Sequence, residues 1–156
     1  MLFRSHYSRP FRFRQNPHTV SIGTHFNQLL GVISGTYVVL LCDDDEISAN
    51  YVSTLVNVME EHPDVSVAFA RQEIMNEDGV VIRKSKEGPA RILSGTQFIR
   101  GLWQTFELGF ESIGTFMARS ADVLKRGGYP DFVHGNGIDN ALVIKLCVDR
   151  DRKSVV

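Results

Sequence analysis

An uninterrupted apolar segment that ends in three carboxylates limits the fold of this chain more than any other sequence feature. Residues 37–42 read Tyr-Val-Val-Leu-Leu-Cys, and Asp43, Asp44 and Asp45 follow directly. An apolar run without polar alternation is typical of a strand covered by helices on both faces. The sequence therefore predicts a central strand of an α/β sheet, with an acidic cluster at its carboxyl end.

Helical and strand patterns alternate along the rest of the chain. Phe26, Leu29, Leu30 and Ile33 have the spacing of a buried helix stripe, and Gly35 is the predicted helix end. Further helices are predicted to begin near Ser48 or Asn50, at Ser94, at Ser120 and at Ile138; strands are predicted at residues 65–70 and 113–118, and a hairpin at residues 73–83. Strands that alternate with helices predict an α/β class, and the absence of a linker pattern predicts one domain over residues 1–156.

Charge gives little reason to expect nucleic acid as a partner, because the formal net charge of the 156 residues is −1. Its distribution is uneven, since four arginines precede the first acidic residue: Arg4, Arg9, Arg12 and Arg14. A solvated basic strand, a patch for phosphate or a membrane surface, and a transit peptide all fit this composition.

The two cysteines, Cys42 and Cys147, lie in apolar runs without metal-type spacing. Both are therefore expected to be buried free thiols of a reducing compartment. No apolar run is long enough to span a bilayer. The sequence thus favours a cytoplasmic protein, either soluble or peripheral to a membrane.

Adjacent carboxylates at a strand end are typical of a site for a hard divalent cation, which prefers oxygen ligands. If the chain stays extended there, Asp43 and Asp45 share one face and Asp44 points to the other. The alternative is that the three aspartates cap the next helix and interact favourably with its positive end.

Several motifs, in order, resemble family-2 glycosyltransferases of the GT-A fold. They are Asn16-Pro17, Asn27, the run from Gly35 to Asp45, Gly127-Gly128-Tyr129 and Ile138-Asp139-x-x-Leu142. The resemblance implies a GT-A-like mixed, mostly parallel sheet with helices on both faces. It also implies that the chain is incomplete at the N-terminus, because residues 1–13 cannot form the strand–helix–strand unit that grips the nucleobase.

The resemblance implies metal-dependent transfer of a sugar from a nucleotide-sugar to a saccharide or lipid-linked acceptor, with inversion at the anomeric carbon. Asp43 and Asp44 would contact the nucleotide-sugar, and Asp45 with Asp43 would hold Mg²⁺ or Mn²⁺. Asp139 would take the proton of the acceptor hydroxyl, although the family usually has glutamate where this chain has Ile138.

Alternatives stay open at several of these positions. Asp139 can instead be the N-cap of the last helix, and Asp131 is a second candidate base. His134 fits a metal or diphosphate contact as well as a plain polar loop, and Trp103 fits an acceptor-stacking role as well as core packing. For the whole chain, the alternatives are an inactive binding or interaction module and a nucleotidyltransferase or phosphohydrolase, although the sequence lacks the second acidic cluster of a two-metal site.

Overall fold

The computed structural model describes residues 12–85, 88–101, 116–148 and 153–155. The described strands are β1 (Tyr37–Val39), β2 (Val65–Phe69), β3 (Glu73–Met75), β4 (Val81–Lys84), β5 (Ile92–Ser94), β6 (Phe116–Arg119) and β7 (Lys153–Val155). The described α-helices are α1 (Ile22–Leu30), α2 (Tyr51–Glu61), α3 (Gly95–Arg100), α4 (Ser120–Lys125) and α5 (Ile138–Cys147), and residues Val133–Gly135 form a 3₁₀ turn.

Five of these strands form one mixed sheet in the order β1-β6-β2-β7-β5. β6 runs antiparallel to both β1 and β2, and β5 runs antiparallel to β7. Only β2 and β7 pair in parallel among the described strands. The predicted mixed α/β class is confirmed, but the prediction of a mostly parallel sheet is wrong for this part of the chain, because β6 inserts between β1 and β2 with the opposite direction.

The apolar segment before the aspartates forms an edge strand, not the predicted central one, in the described sheet. Only Tyr37–Val39 pairs with β6, and Leu41 is 44% exposed. Val38 packs against one hydrophobic cluster and Val39 against the other, so both faces of the strand are covered as predicted. An apolar run indicates that both faces of a strand are covered, but it does not indicate whether the strand has a hydrogen-bonded neighbour on each edge.

Two hydrophobic clusters cover the two faces of the sheet. Val67 and Ala118 point into a cluster with residues of α1, α3, α4 and α5. Ala68 follows Val67 and Met117 precedes Ala118, and both point into a second cluster with the buried face of α2. The alternation within β2 and β6 thus places helices on both faces, as predicted.

The local signals give most elements but not every boundary. α1 ends at Leu30 with Gly31 as its C-cap, so the predicted end at Gly35 is wrong. The predicted capping box is confirmed. The backbone N–H of Gln97 donates to Ser94 Oγ at 3.2 Å, and the backbone N–H of Ser94 donates to Gln97 Oε1 at 2.9 Å. β3 and β4 form the predicted hairpin as a separate two-stranded sheet.

Some predictions fall outside the described residues, among them those for Trp103, Arg4 and Arg9. Arg12 and Arg14, at the start of the described chain, are exposed. Within the described ranges, no helix combines the length and apolarity that crossing a membrane requires.

Candidate functional site

The chain turns sharply where β1 ends, and this turn carries the acidic cluster. The Asp45 amide donates to the Cys42 carbonyl at 3.4 Å, which closes a turn over residues 42–45. The predicted extended geometry, with Asp43 and Asp45 on one face, is therefore wrong. A turn brings together side chains that an extended strand would separate.

Cys42, Asp44 and Asp45 form the potential metal-ligand group of the described residues. The Cys42 sulfur and one carboxylate oxygen from each aspartate all lie within 4.8 Å of one another, and all three residues are exposed. Asp43 is also exposed but is not a member of this group. The structure thus groups Asp45 with Asp44 and with a thiol, a combination that the sequence interpretation did not include.

The two carboxylates of this group fit a hard divalent cation, whereas the Cys42 thiol is a soft donor that such an ion does not prefer. Two carboxylate oxygens suit a hard ion such as Mg²⁺ or Mn²⁺, and accessible ligands leave coordination positions for phosphate oxygens. The helix-capping alternative is wrong, because the N-cap position of α2 is Asn50, five residues after Asp45. The prediction that Cys42 is buried is also wrong, whereas Cys147 is buried as predicted.

Asp139 lies in the first turn of α5 and is half-buried. The N-cap of α5 is Gly137, in a left-handed conformation with φ 75°, so the alternative that Asp139 is the N-cap is wrong. Burial raises the pKa of the Asp139 carboxyl above its ordinary value. The physical cause is the loss of hydration, which disfavours the ionised carboxylate.

The acidic turn and Asp139 lie close enough to affect one another electrostatically. Although Cys42 is exposed, the surrounding protein removes part of the hydration of its thiol and so raises the thiol pKa, and the neighbouring carboxylates, Asp139 among them, raise it further. Burial raises the pKa of Tyr129 far more, and Asp139 and Cys42 add to that effect. Leu40, Tyr129 and Leu142 also line one cavity, so the segments that carry Cys42, Tyr129 and Asp139 meet in one region although they are far apart in sequence.

Tyr129 belongs to a turn that two helices hold in place. Asn27 of α1 donates from Nδ2 to the Tyr129 carbonyl and accepts from the Tyr129 amide at Oδ1, both at 2.8 Å. Lys145 of α5 donates to the Gly128 carbonyl at 3.2 Å. The Tyr129 ring packs edge-on against Phe26, with 5.1 Å between the ring centroids.

Beneath this turn lies an apolar cavity of about 120 Å³. Its lining includes Leu40, near the end of the apolar segment, Leu142, about one helical turn after Asp139, and Tyr129. Sequence reasoning noticed Tyr129 only as part of a glycine-rich motif. Its burial next to Asp139 depends on contacts with α1 that no local pattern reveals.

Two other candidate residues have roles outside the acidic region. Asp131 accepts a hydrogen bond from Ser21 Oγ at 2.6 Å and one from Thr24 Oγ1 at 3.5 Å, which fastens its loop to the start of α1. His134 is exposed and has a positive φ of 67°, so it forms part of the tight turn before α5. A second, open cleft of about 430 Å³ is lined by residues 16–20 and His25. It includes none of the acidic residues.

The fold and the acidic region define an α/β protein with a candidate divalent-cation site after a strand and a half-buried carboxylate at the start of α5. The model of glycosyl transferase family 2 matches residues 3–128. The match covers most of the chain, which therefore belongs to this family. It ends before Tyr129 and Asp139, so support for those two residues rests on geometry alone. Among individually curated proteins, none matches the chain significantly.

Proposed function

We propose that the chain transfers a sugar from a nucleotide-sugar to a hydroxyl acceptor, with Asp139 as the base. The observation that carries this proposal is that Leu40, two residues before Cys42, and Leu142, three residues after Asp139, line one cavity, which brings the acidic turn and the start of α5 together. A glycosyl transfer needs chemistry on both sides of the anomeric carbon, and the two acidic features can serve one side each. Membership of glycosyl transferase family 2 supports the reaction class.

In the proposed reaction, the acceptor oxygen forms a bond to the anomeric carbon as the bond from that carbon to the diphosphate breaks. Asp139 takes the acceptor's proton, because a neutral hydroxyl is a poor nucleophile. Its raised pKa favours this role, since a carboxylate with a higher pKa is a stronger base. Attack opposite the leaving group inverts the anomeric carbon.

Asp44 and Asp45 are the proposed carboxylate ligands of a divalent cation, and Cys42 is the third group within reach. When bound, the cation would neutralise charge that develops on the departing diphosphate. Asp43, outside the ligand group, is proposed to contact the nucleotide-sugar. The acceptor is a saccharide or a lipid-linked saccharide.

Transfer activity of two aspartate variants tests the assignment of the base. We expect Asp139→Asn to lower kcat by about 10²-fold or more while nucleotide-sugar binding stays within about twofold. Asp131→Asn is the matched control, because its amide oxygen can still accept from Ser21. The assay measures nucleoside diphosphate released from UDP-, GDP- and dTDP-sugars in the presence of Mn²⁺.

Equal activity of Asp139→Asn and wild type would remove Asp139 from the reaction. The alternative, an inactive binding module, predicts a different result: nucleotide-sugars bind, but no diphosphate is released by wild type with any donor and acceptor.

A further inference from the structure

Asn27 connects the site to a helix that carries none of the reacting groups. Asn27 and Tyr129 are 102 positions apart, yet the side-chain amide of Asn27 satisfies both the amide and the carbonyl of Tyr129. Both hydrogen bonds are 2.8 Å long and half-buried. A two-point contact of this kind fixes orientation as well as distance, because neither bond can rotate without lengthening the other.

Gly128, the residue before Tyr129, shows how closely Asn27 approaches the turn. Gly128 has a φ of +66°, and a Cβ added there would lie 2.3 Å from Asn27 Oδ1 and 2.8 Å from Leu30 Cδ1. The asparagine therefore occupies the space that a side chain at position 128 would need. The backbone of the turn and α1 form one packed unit, and Lys145 joins that unit to α5.

The side chain of Tyr129 extends this unit to the proposed site. It is 5% exposed, packs on Phe26, and shares a cavity lining with Leu40 and Leu142. Leu40 lies two residues before Cys42, and Leu142 lies three residues, or about one helical turn, after Asp139. Tyr129 thus packs against the segments that carry both halves of the site.

We propose that Asn27 is a positioning residue of the transfer reaction, which sets the location of Asp139 relative to the acidic turn by holding Tyr129. This inference rests on the proposed function, because it takes Asp139 as the base. Asn27 itself does not touch the reacting atoms. It acts through the tyrosine, whose packing keeps the start of α5 and the end of the apolar segment at a fixed separation.

The test compares Asn27→Ala, which removes both hydrogen bonds, with Asn27→Asp, which keeps the acceptor for the Tyr129 amide. Asn57→Ala is the matched control, since Asn57 is an exposed asparagine in the middle of α2. Amide hydrogen exchange and amide chemical shifts are measured by NMR on the full chain. Steady-state kinetics use whichever of the UDP-, GDP- and dTDP-sugars wild type accepts.

We expect the Tyr129 amide to exchange about tenfold faster in Asn27→Ala than in wild type, because its hydrogen-bond acceptor is lost. The amide resonances of Asp139 and Cys42 should shift. The value of kcat should fall about tenfold or more with KM for the donor nearly unchanged, since misplacement of a base affects the chemical step. Asn27→Asp should lie between wild type and Asn27→Ala, and Asn57→Ala should match wild type.

Unchanged resonances of Asp139 and Cys42 in a folded Asn27→Ala protein would overturn the inference, and so would an unchanged kcat. If Asn27→Ala does not fold, the same comparisons decide the matter in Asn27→Asp. A wild-type chain without transfer activity would refute the proposed function instead, whereas the amide measurements would still decide whether Asn27 holds Asp139 in place.

Discussion

Alanine substitutions at two adjacent glycines separate backbone strain from a steric collision in the turn that carries Tyr129. Gly127 and Gly128 both have positive φ, at 75° and 66°. A Cβ at position 127 would meet no atom within 4 Å, whereas one at position 128 would lie 2.3 Å from Asn27 Oδ1. Both variants therefore carry the cost of a left-handed alanine, and only Gly128→Ala also carries a steric collision.

The shared cost is the left-handed backbone, which disfavours alanine relative to glycine by about 1 kcal/mol. Gly127→Ala should lower the free energy of unfolding by about that amount. Gly128→Ala adds overpacking of about 1–3 kcal/mol. Displacement of Asn27 also breaks its hydrogen bonds to Tyr129, each worth about 1 kcal/mol. The total for Gly128→Ala is then about 4–6 kcal/mol.

Urea unfolding followed by far-UV circular dichroism measures both values, provided that the slope with urea is the same for each variant. We expect Gly128→Ala to be less stable than Gly127→Ala by at least about 3 kcal/mol, from the added steric and hydrogen-bond costs. Equal destabilisation of the two variants would refute this account of the turn, because it would mean that Asn27 does not occupy the space beside Gly128.

Three further predictions concern stability and reactivity. Arg119 donates hydrogen bonds to backbone carbonyls near the end of α2 and at the start of β2. Arg119→Met should therefore lower the free energy of unfolding in urea by about 2–3 kcal/mol. Arg100→Met, at an exposed site, should leave it nearly unchanged. Because the pKa of Asp139 is raised in the folded state, the folded chain holds this proton where the unfolded chain has lost it. The stability that this carboxyl contributes is therefore complete below its pKa in the unfolded chain and is lost as pH rises through its pKa in the folded chain. Urea unfolding across pH 3–8 without metal should show that loss of stability in wild type but not in Asp139→Asn. Identical pH profiles of the two proteins would contradict this prediction. A thiol reagent should label exposed Cys42 in the native protein and Cys147 only on unfolding; simultaneous labelling of both would contradict the burial described above.

Local patterns were sufficient where an element is defined by its own residues. The capping box at Ser94 predicts the start of α3, and the Asp-Gly turn at residues 78–79 predicts the β3–β4 hairpin, since both depend on contacts only a few residues apart. The strand β2 was predicted from its mainly apolar residues, and all five of them, Ser66 included, are buried. In the first two cases the hydrogen-bond partners lie within the pattern itself, whereas β2 pairs with β6 and β7, which are far away in sequence.

The position of β1 and the composition of the acidic group depend on partners far away in sequence. Whether Tyr37–Val39 lies at an edge is decided by its pairing with Phe116–Arg119, which no periodicity encodes. The resemblance gave Asp43, Asp44 and Asp45 as the candidate site, but the turn at Cys42 selects which side chains meet. Asp139 was predicted from a motif, and its burial arises only from packing.

Binding of Mn²⁺ to the acidic turn is the most direct test of the central claim, that this strand end holds a divalent cation for a departing diphosphate. Electron paramagnetic resonance measures the loss of the free Mn²⁺ signal on titration, with and without UDP. We expect UDP to tighten Mn²⁺ binding to wild type, and Asp44→Asn and Asp45→Asn to weaken it by about tenfold or more. Asp78→Asn, in the exposed hairpin turn, should bind Mn²⁺ as wild type does. Equal Mn²⁺ affinity in all four proteins would contradict the account.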